Sequence, residues 1–166
     1  MTARTANILG AAACAALLAY AYYAQYVMHL EPCPLCIFQR VGIFGLGVIF
    51  ALAALHDPGV LGRRVYAVLL DLAAMATIGV AARQLYIQSL PPEAVPACGA
   101  SLDFMLKVFP LNEVLVKVLT GSGECAKVDW RFLGLAMPAW VLIAAAGLGV
   151  FGVWVNVRRG PPVLRF

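Results

Sequence analysis

Four long apolar stretches, separated by two short polar breaks and one long one, dominate the pattern along this chain. They fall at residues 8–28, 37–55, 65–87 and 135–157, each close to the roughly 20 residues of helix that cross a hydrocarbon core. The breaks at 29–36 and 88–134 then share one side of a bundle, and both chain ends share the other. The pattern predicts an all-α fold: an integral membrane four-helix bundle with one long outer loop that carries a short amphipathic helix. That helix is read from Leu111, Val114, Leu115, Val118 and Leu119, which recur at helical spacing behind Pro110, with Asn112, Glu113 and Lys117 elsewhere on the wheel. It lies on the outer membrane surface or packs against the bundle. With four spans in 166 residues there is no room for a second domain, so residues 1–166 form a single membrane domain.

Composition removes the soluble alternative. A chain with 63% hydrophobic and only 12% charged residues cannot close around one soluble core without leaving large apolar patches exposed. Arg4 followed by an apolar run and Ala19-Tyr20-Ala21 resembles a cleaved signal peptide. The run continues through Tyr22, Tyr23, Tyr26, Val27 and Met28, which is longer than a signal core and fits an aromatic belt at a membrane interface. The first span is therefore expected to be retained.

Charge sets the orientation. Arg4, Arg63, Arg64, Arg158, Arg159 and Arg165 fall on one side against Asp57 alone. The long loop opposite balances Lys107, Lys117, Lys127 and Arg131 against Glu93, Asp103, Glu113, Glu124 and Asp129. Excess Arg and Lys marks the cytoplasmic side, so both termini are expected there. The net charge of +4 records this asymmetry, and no basic run suggests nucleic acid.

Cys33, Cys36, Cys98 and Cys125 then all lie on the non-cytoplasmic side, where disulfides persist. Cys14 lies inside the first span and reads as a small packing residue. Four outward cysteines can staple the loops, hold zinc or carry redox chemistry. Zinc suffers from the 26 residues between Cys98 and Cys125, which include Gly121-Ser122-Gly123. The local chemistry of Cys33-Pro34-Leu35-Cys36 favours redox. Pro34 suits the first turn of a helix, which puts Cys36 at a helix N-terminus, where backbone N–H groups and the helix dipole stabilise a thiolate. Arg40 follows one turn deeper on the same face. An arginine at that depth either snorkels to the headgroups or binds something. A thiolate beside a cation at the lipid boundary suits electron donation to a membrane quinone, which takes the two electrons released when a dithiol closes. Arg40 would stabilise the negative charge that develops on oxygen.

Cys33-Pro-Leu-Cys36-Ile-Phe-Gln-Arg40, the segment from Leu90 to Gly99 around Cys98, and the segment from Gly121 through Cys125 and Trp130 to Pro138 and Trp140 together closely resemble the DsbB family of disulfide bond formation proteins. The resemblance runs through essentially the whole chain. It implies a thiol:quinone oxidoreductase of the bacterial inner membrane that reoxidises a DsbA-type periplasmic thioredoxin-like oxidase and passes the electrons to ubiquinone or menaquinone. Carried onto matching positions, Cys98 forms the mixed disulfide with the partner, Cys125 is its exchange mate, Cys33 exchanges with Cys125, and Cys36 meets the quinone with Arg40 assisting. Family members often have a His one residue after the position of Arg83. Here that residue is Gln84, so Gln84 or Arg83 is the expected polar contact to quinone from the third span. Two other readings compete: a vitamin K epoxide reductase-like enzyme, whose further pattern is missing, and a tetraspan scaffold with inert disulfides.

Several residues round out the expectations. Pro91, Pro92 and Pro96 give an extended approach to Cys98, and Gly121-Ser122-Gly123 gives freedom beside Cys125. Gly42, Gly45 and Gly47 permit close helix approach, and Trp130 and Trp140 anchor the outer interface or border the quinone. Asp71 pairs with an inner Arg or reaches water, and His29 is a solvated interfacial residue. Nothing requires more than one chain, so a monomer is expected.

Overall fold

The computed structural model describes residues 2–91, 93, 107–110, 112–114, 116, 123–128 and 130–158. Among the described residues, four helices are long and apolar enough to cross a membrane: α1 (Ala3–Tyr26), α2 (Pro34–His56), α3 (Val60–Gln88) and α5 (Met137–Arg158). Between α3 and α5 come a short helix, α4 (Gly123–Ala126), and two short strands, β1 (Arg131–Phe132) and β2 (Leu135–Ala136). The chain is an all-α, multi-pass membrane protein.

The helix ends follow from local chemistry. Thr2 caps α1 by accepting from Thr5 N at 3.2 Å. Cys33 caps α2, its Sγ accepting from Cys36 N at 3.4 Å, and Pro34 fills the first helical position, where no N–H is needed. At the far end of α2, Asp57 takes a left-handed conformation (φ 36°), and its carboxylate accepts from Arg63 at 3.2 Å. Arg63 also donates to Pro58 O at 3.0 Å, which fastens the tight α2–α3 turn. Helix α3 begins at Val60 rather than near Val65, because an apolar run marks only the hydrocarbon part of a helix. Arg63 and Arg64 are good helix formers that extend it into the polar zone.

One element differs from a plain loop. Residues 131–136 form an antiparallel hairpin pairing Arg131 with Ala136 and Phe132 with Leu135. Its two-residue turn, Leu133-Gly134, has φ of 50° and 81°, the sign a tight hairpin turn demands. In the same loop, Pro110 O accepts from Glu113 N and Val114 N, and residues 112–114 are helical. The rest of the expected amphipathic helix (Leu111, Leu115, Lys117, Val118 and Leu119) lies outside the described residues, as do Pro92, Pro96, Cys98, Gly121 and Ser122.

The core is built on Phe50, fully buried with Cys14, Ile43, Leu46, Leu70, Ala74 and Ala145. A Cβ at Gly10 would stand 2.7 Å from the Phe50 ring and one at Gly152 3.1 Å from it, so glycines on α1 and α5 make room for the ring. Gly42 lets α2 approach α3 at Thr77, and Gly47 lets α2 approach α1 at Cys14, which is a packing residue as expected. Gly45 corrects the expectation: nothing lies within 4 Å of its would-be side chain. Asp71 is exposed and has no ion pair among the described residues.

Helices α3 and α5, α1 and α2, and α2 and α3 pack extensively, whereas α1 and α5 meet sparingly. Their contact is fixed at the end remote from Cys33, where buried Asn7 and Asn156 exchange hydrogen bonds beside Ala3, Ala6 and Val155. Towards the cysteine end a cavity separates the two helices.

Candidate functional site

The cavity measures about 590 Å³. Leu17, Leu18, Tyr20, Ala21 and Ala24 of α1 face Trp140, Val141, Ile143 and Ala144 of α5 across it, and Cys33, Cys36, Gln39, Arg40 and Gln84 gather along its α2–α3 wall. Such a space, apolar in bulk with a few polar groups on one side, is the ordinary form of a small-molecule site.

Cys33 and Cys36 are free thiols with Sγ atoms 2.9 Å apart. That is longer than the roughly 2.05 Å of a disulfide but inside ordinary van der Waals contact, so the pair is placed to close. Their proximity comes from the cap itself, since the same Cys33 Sγ that accepts from Cys36 N is held over the first turn. Cys125, on α4, is buried with Cys33, Leu35, Ile87 and Val114 and hydrogen-bonds to Cys33. Cys33 thus touches two other thiols. The bonds to Cys125 and Cys36, with burial behind them, hold the Cys33 thiol far above the usual range.

Gln84 stands behind the sulfurs. Its Nε2 donates to Cys33 Sγ and to Cys36 Sγ at 3.3 Å each, and Cys36 Sγ lies 3.6 Å from its Oε1. Gln39 Nε2 donates to Gln84 Oε1 at 2.6 Å. Both glutamines are about as buried as the core, each at 3% exposure. Arg83, the other expected polar group of α3, lies with its guanidinium 5.2 Å from the Tyr86 ring and does not line the cavity.

Arg40 reaches from α2 to α1. Its guanidinium donates to Gln25 Oε1 and to Ala21 O, the latter at 3.0 Å, and lies 5.3 Å from the Tyr22 ring centroid. All these partners are uncharged. Over the cavity's cysteine end runs an aromatic chain of Tyr20, Trp130, Phe132 and Trp140, with successive centroids 6.2, 6.0 and 5.7 Å apart. Trp140 Nε1 donates to Phe132 O at 3.2 Å, which ties the hairpin to α5. Both tryptophans therefore border the cavity.

The structure brings Cys33, Cys36, Cys125, Arg40 and Gln84 to one place. Sequence reasoning missed Gln39 and Gln25. A glutamine inside a long apolar run, three residues past Cys36 and so on its face, is the signal that points to Gln39. Gln25 carries no comparable signal, because it sits among tyrosines at a helix end.

The family model described as "Disulfide bond formation protein DsbB" matches residues 3–155. The chain is 50% identical over 159 residues to disulfide bond formation protein B of Chromobacterium violaceum, covering 96% of each chain. To the protein of that name from Marinobacter nauticus it is 53% identical over 149 residues (90% of this chain, 89% of that one). To that of Methylococcus capsulatus it is 49% identical over 160 residues (95% and 98%). Matched end to end at this level, and with its paired thiols beside a cavity between membrane helices, the chain belongs to the DsbB family of disulfide bond formation proteins.

Proposed function

We propose that this membrane oxidoreductase takes electrons from a DsbA-type periplasmic dithiol oxidase and delivers them to a membrane quinone, ubiquinone or menaquinone, across the bacterial inner membrane's outer leaflet. Both termini are cytoplasmic in this reading, and Cys33, Cys36, Cys98 and Cys125 face the periplasm. The observation that carries it is the Cys33–Cys36 sulfur pair at 2.9 Å on the wall of a 590 Å³ cavity bordered by an arginine without an acidic partner among the described residues.

The cavity suits a flat apolar ring in volume and lining, and it lies between α1 and α5. A bound quinone supplies a sink for two electrons and two protons. Arg40 would hold a carbonyl oxygen and stabilise negative charge there. Cys36, at the helix N-terminus and facing the Gln84 N–H, is the thiolate side of the pair, and Cys33 is the protonated side. When this thiolate–thiol pair closes, one S–S bond forms, the single S–H proton of Cys33 leaves and two electrons go to the acceptor, whose second proton comes from water.

Cys33 in contact with both Cys36 and Cys125 supports a relay in which Cys98 takes the partner's electrons, Cys125 exchanges with Cys98, and Cys33 exchanges with Cys125. Such a relay needs a sink. A DsbA-like couple near −120 mV faces an uphill step of about 8 kcal/mol into a structural disulfide below about −300 mV. Continuous removal of electrons at Cys36 keeps the outer pairs oxidised.

The test is to mix purified protein with a reduced DsbA-type oxidase and a short-chain quinone and follow the quinone's ultraviolet absorbance. Turnover in the parent and none in Cys36→Ser supports the reading. Full turnover in Cys36→Ser, or none in folded parent with either quinone class, overturns it.

A further inference from the structure

We propose that Gln39 is a positioning residue for the dithiol: by donating to Gln84 Oε1 it fixes the rotation of the Gln84 amide so that its NH₂ faces both cysteine sulfurs. The inference rests on the reading of Cys36 as the electron-donating thiolate, and it assigns a role to a residue that does not touch sulfur.

A glutamine amide can present either its oxygen or its nitrogen in a given direction, since the terminal torsion has two nearly equivalent settings. What decides is the neighbours. Gln39 presents its Nε2, which can only donate, 2.6 Å from Gln84, so with Gln39 set this way the Gln84 atom that faces it is the oxygen. The nitrogen is then the amide atom nearer the sulfurs, 3.3 Å from both Cys33 Sγ and Cys36 Sγ, with the oxygen 3.6 Å from Cys36 Sγ. Two N–H bonds meet two sulfurs. Turning the amide over would set NH₂ against NH₂ on the Gln39 side and oxygen against an anionic sulfur on the other. Burial at 3% exposure leaves no water to compensate for either loss.

The arrangement also serves both protonation states of Cys36 without movement. As a thiolate it accepts from Gln84 Nε2, and as a thiol it donates to Gln84 Oε1 at 3.6 Å. The titratable groups set against Cys36 are the Cys33 and Cys125 thiols. The charged residues that line the same cavity are Glu31, Arg40 and Lys127, and neither glutamine gains or loses a proton. Gln39 on α2 and Gln84 on α3 thus form a neutral device that favours the thiolate by orientation alone.

The test is site-resolved alkylation of Cys36 by iodoacetamide in the reduced full-length protein, read by mass spectrometry of the peptide as a function of pH, beside quinone reduction by the same preparations. Gln39→Leu removes the donor and frees the Gln84 amide. Gln39→Glu keeps the shape but offers an acceptor when ionised, which turns the Gln84 NH₂ away from sulfur. In both, half-maximal alkylation is expected about one pH unit higher, with a tenfold slower reaction below that midpoint, the scale of one charge-assisted hydrogen bond. In a Gln84→Leu background, Gln39→Leu should add nothing, because its effect passes through that amide.

Coinciding pH profiles of parent and both variants overturn the proposal, as does a second, additive loss in the Gln84→Leu background. Should Gln39→Leu fail to fold, the isosteric Gln39→Glu carries the comparison alone. Failure of the parent to reduce quinone overturns the functional reading, while the alkylation profiles still decide the part played by Gln39.

Discussion

Asn7 on α1 and Asn156 on α5 exchange amide hydrogen bonds of 3.2 and 3.1 Å inside the bundle, 149 residues apart in sequence. Asn156 Nδ2 also donates to Gly152 O at 2.9 Å. The pair closes one end of a seam whose other end holds the cavity. Asn7→Leu leaves the Asn156 carbonyl without its donor in a buried place, at a cost of about 1–2 kcal/mol. A lower thermal midpoint in detergent with quinone reduction retained is the expected result. Loss of reduction at full stability would show that the clasp and the cavity are not separate.

Gly42 and Gly45 sit three residues apart on α2 and should respond in opposite ways. A Cβ at Gly42 falls 2.2 Å from Thr77 Oγ1, and one at Gly45 meets nothing within 4 Å. Gly42→Ala is expected to cost about 1–3 kcal/mol by overpacking, and Thr77→Ala in the same chain should restore most of it. Gly45→Ala should be neutral or stabilising by up to about 1 kcal/mol, from helix propensity. Thermal unfolding of the three variants checks both.

Arg40→Lys keeps the charge and loses the planar fork that reaches Gln25 and Ala21 O together. Its kcat/KM for quinone should fall about tenfold, or about 1.4 kcal/mol in the barrier. Gln25→Leu, which leaves the guanidinium but removes one of its holders, should fall less. Mixed-disulfide formation with the partner oxidase should be unaffected in both, and steady-state rates with a short-chain quinone decide it.

The raised Cys33 thiol gives a pH dependence of known sign. Below the ordinary thiol pKa of about 8.5, the group is protonated in both folded and unfolded chains and contributes no slope. Above it the unfolded chain releases the proton while the folded chain retains it, because Cys125 and Cys36 hold it as a thiol. Stability of the reduced protein should therefore decline as pH rises through that value. In Cys33→Ala the decline should be smaller, as thermal midpoints between pH 7 and 10 would show.

How far the sequence carries can be judged residue by residue. Pro34 after Cys33 marks the start of α2, and the structure starts that helix there, with Cys33 as its cap. Apolar runs locate four helices but not their ends, since Arg63 and Arg64 continue α3 beyond its hydrocarbon part. Leu133-Gly134 passes unnoticed as a turn because flanking strands of two residues give no alternating pattern to read. Gln84 attracts attention by replacing a histidine, yet its meaning depends on Gln39, and that contact joins two helices 45 residues apart. The cavity is the least legible feature, because it arises from how α1 and α5 lean and not from any run of residues.

The seam has a further consequence for how the protein is made. Of the four long helices, α1 is synthesised first and α5 last, so the two walls of the cavity are the ends of the production line. Until α5 arrives, Asn7 waits with its amide unmatched in an apolar surrounding, and the space beside Cys33 and Cys36 is open along one whole side. The pocket comes into being when Asn156 docks. A chain stalled before that point could place its thiol pair correctly and still have nowhere to keep a ligand.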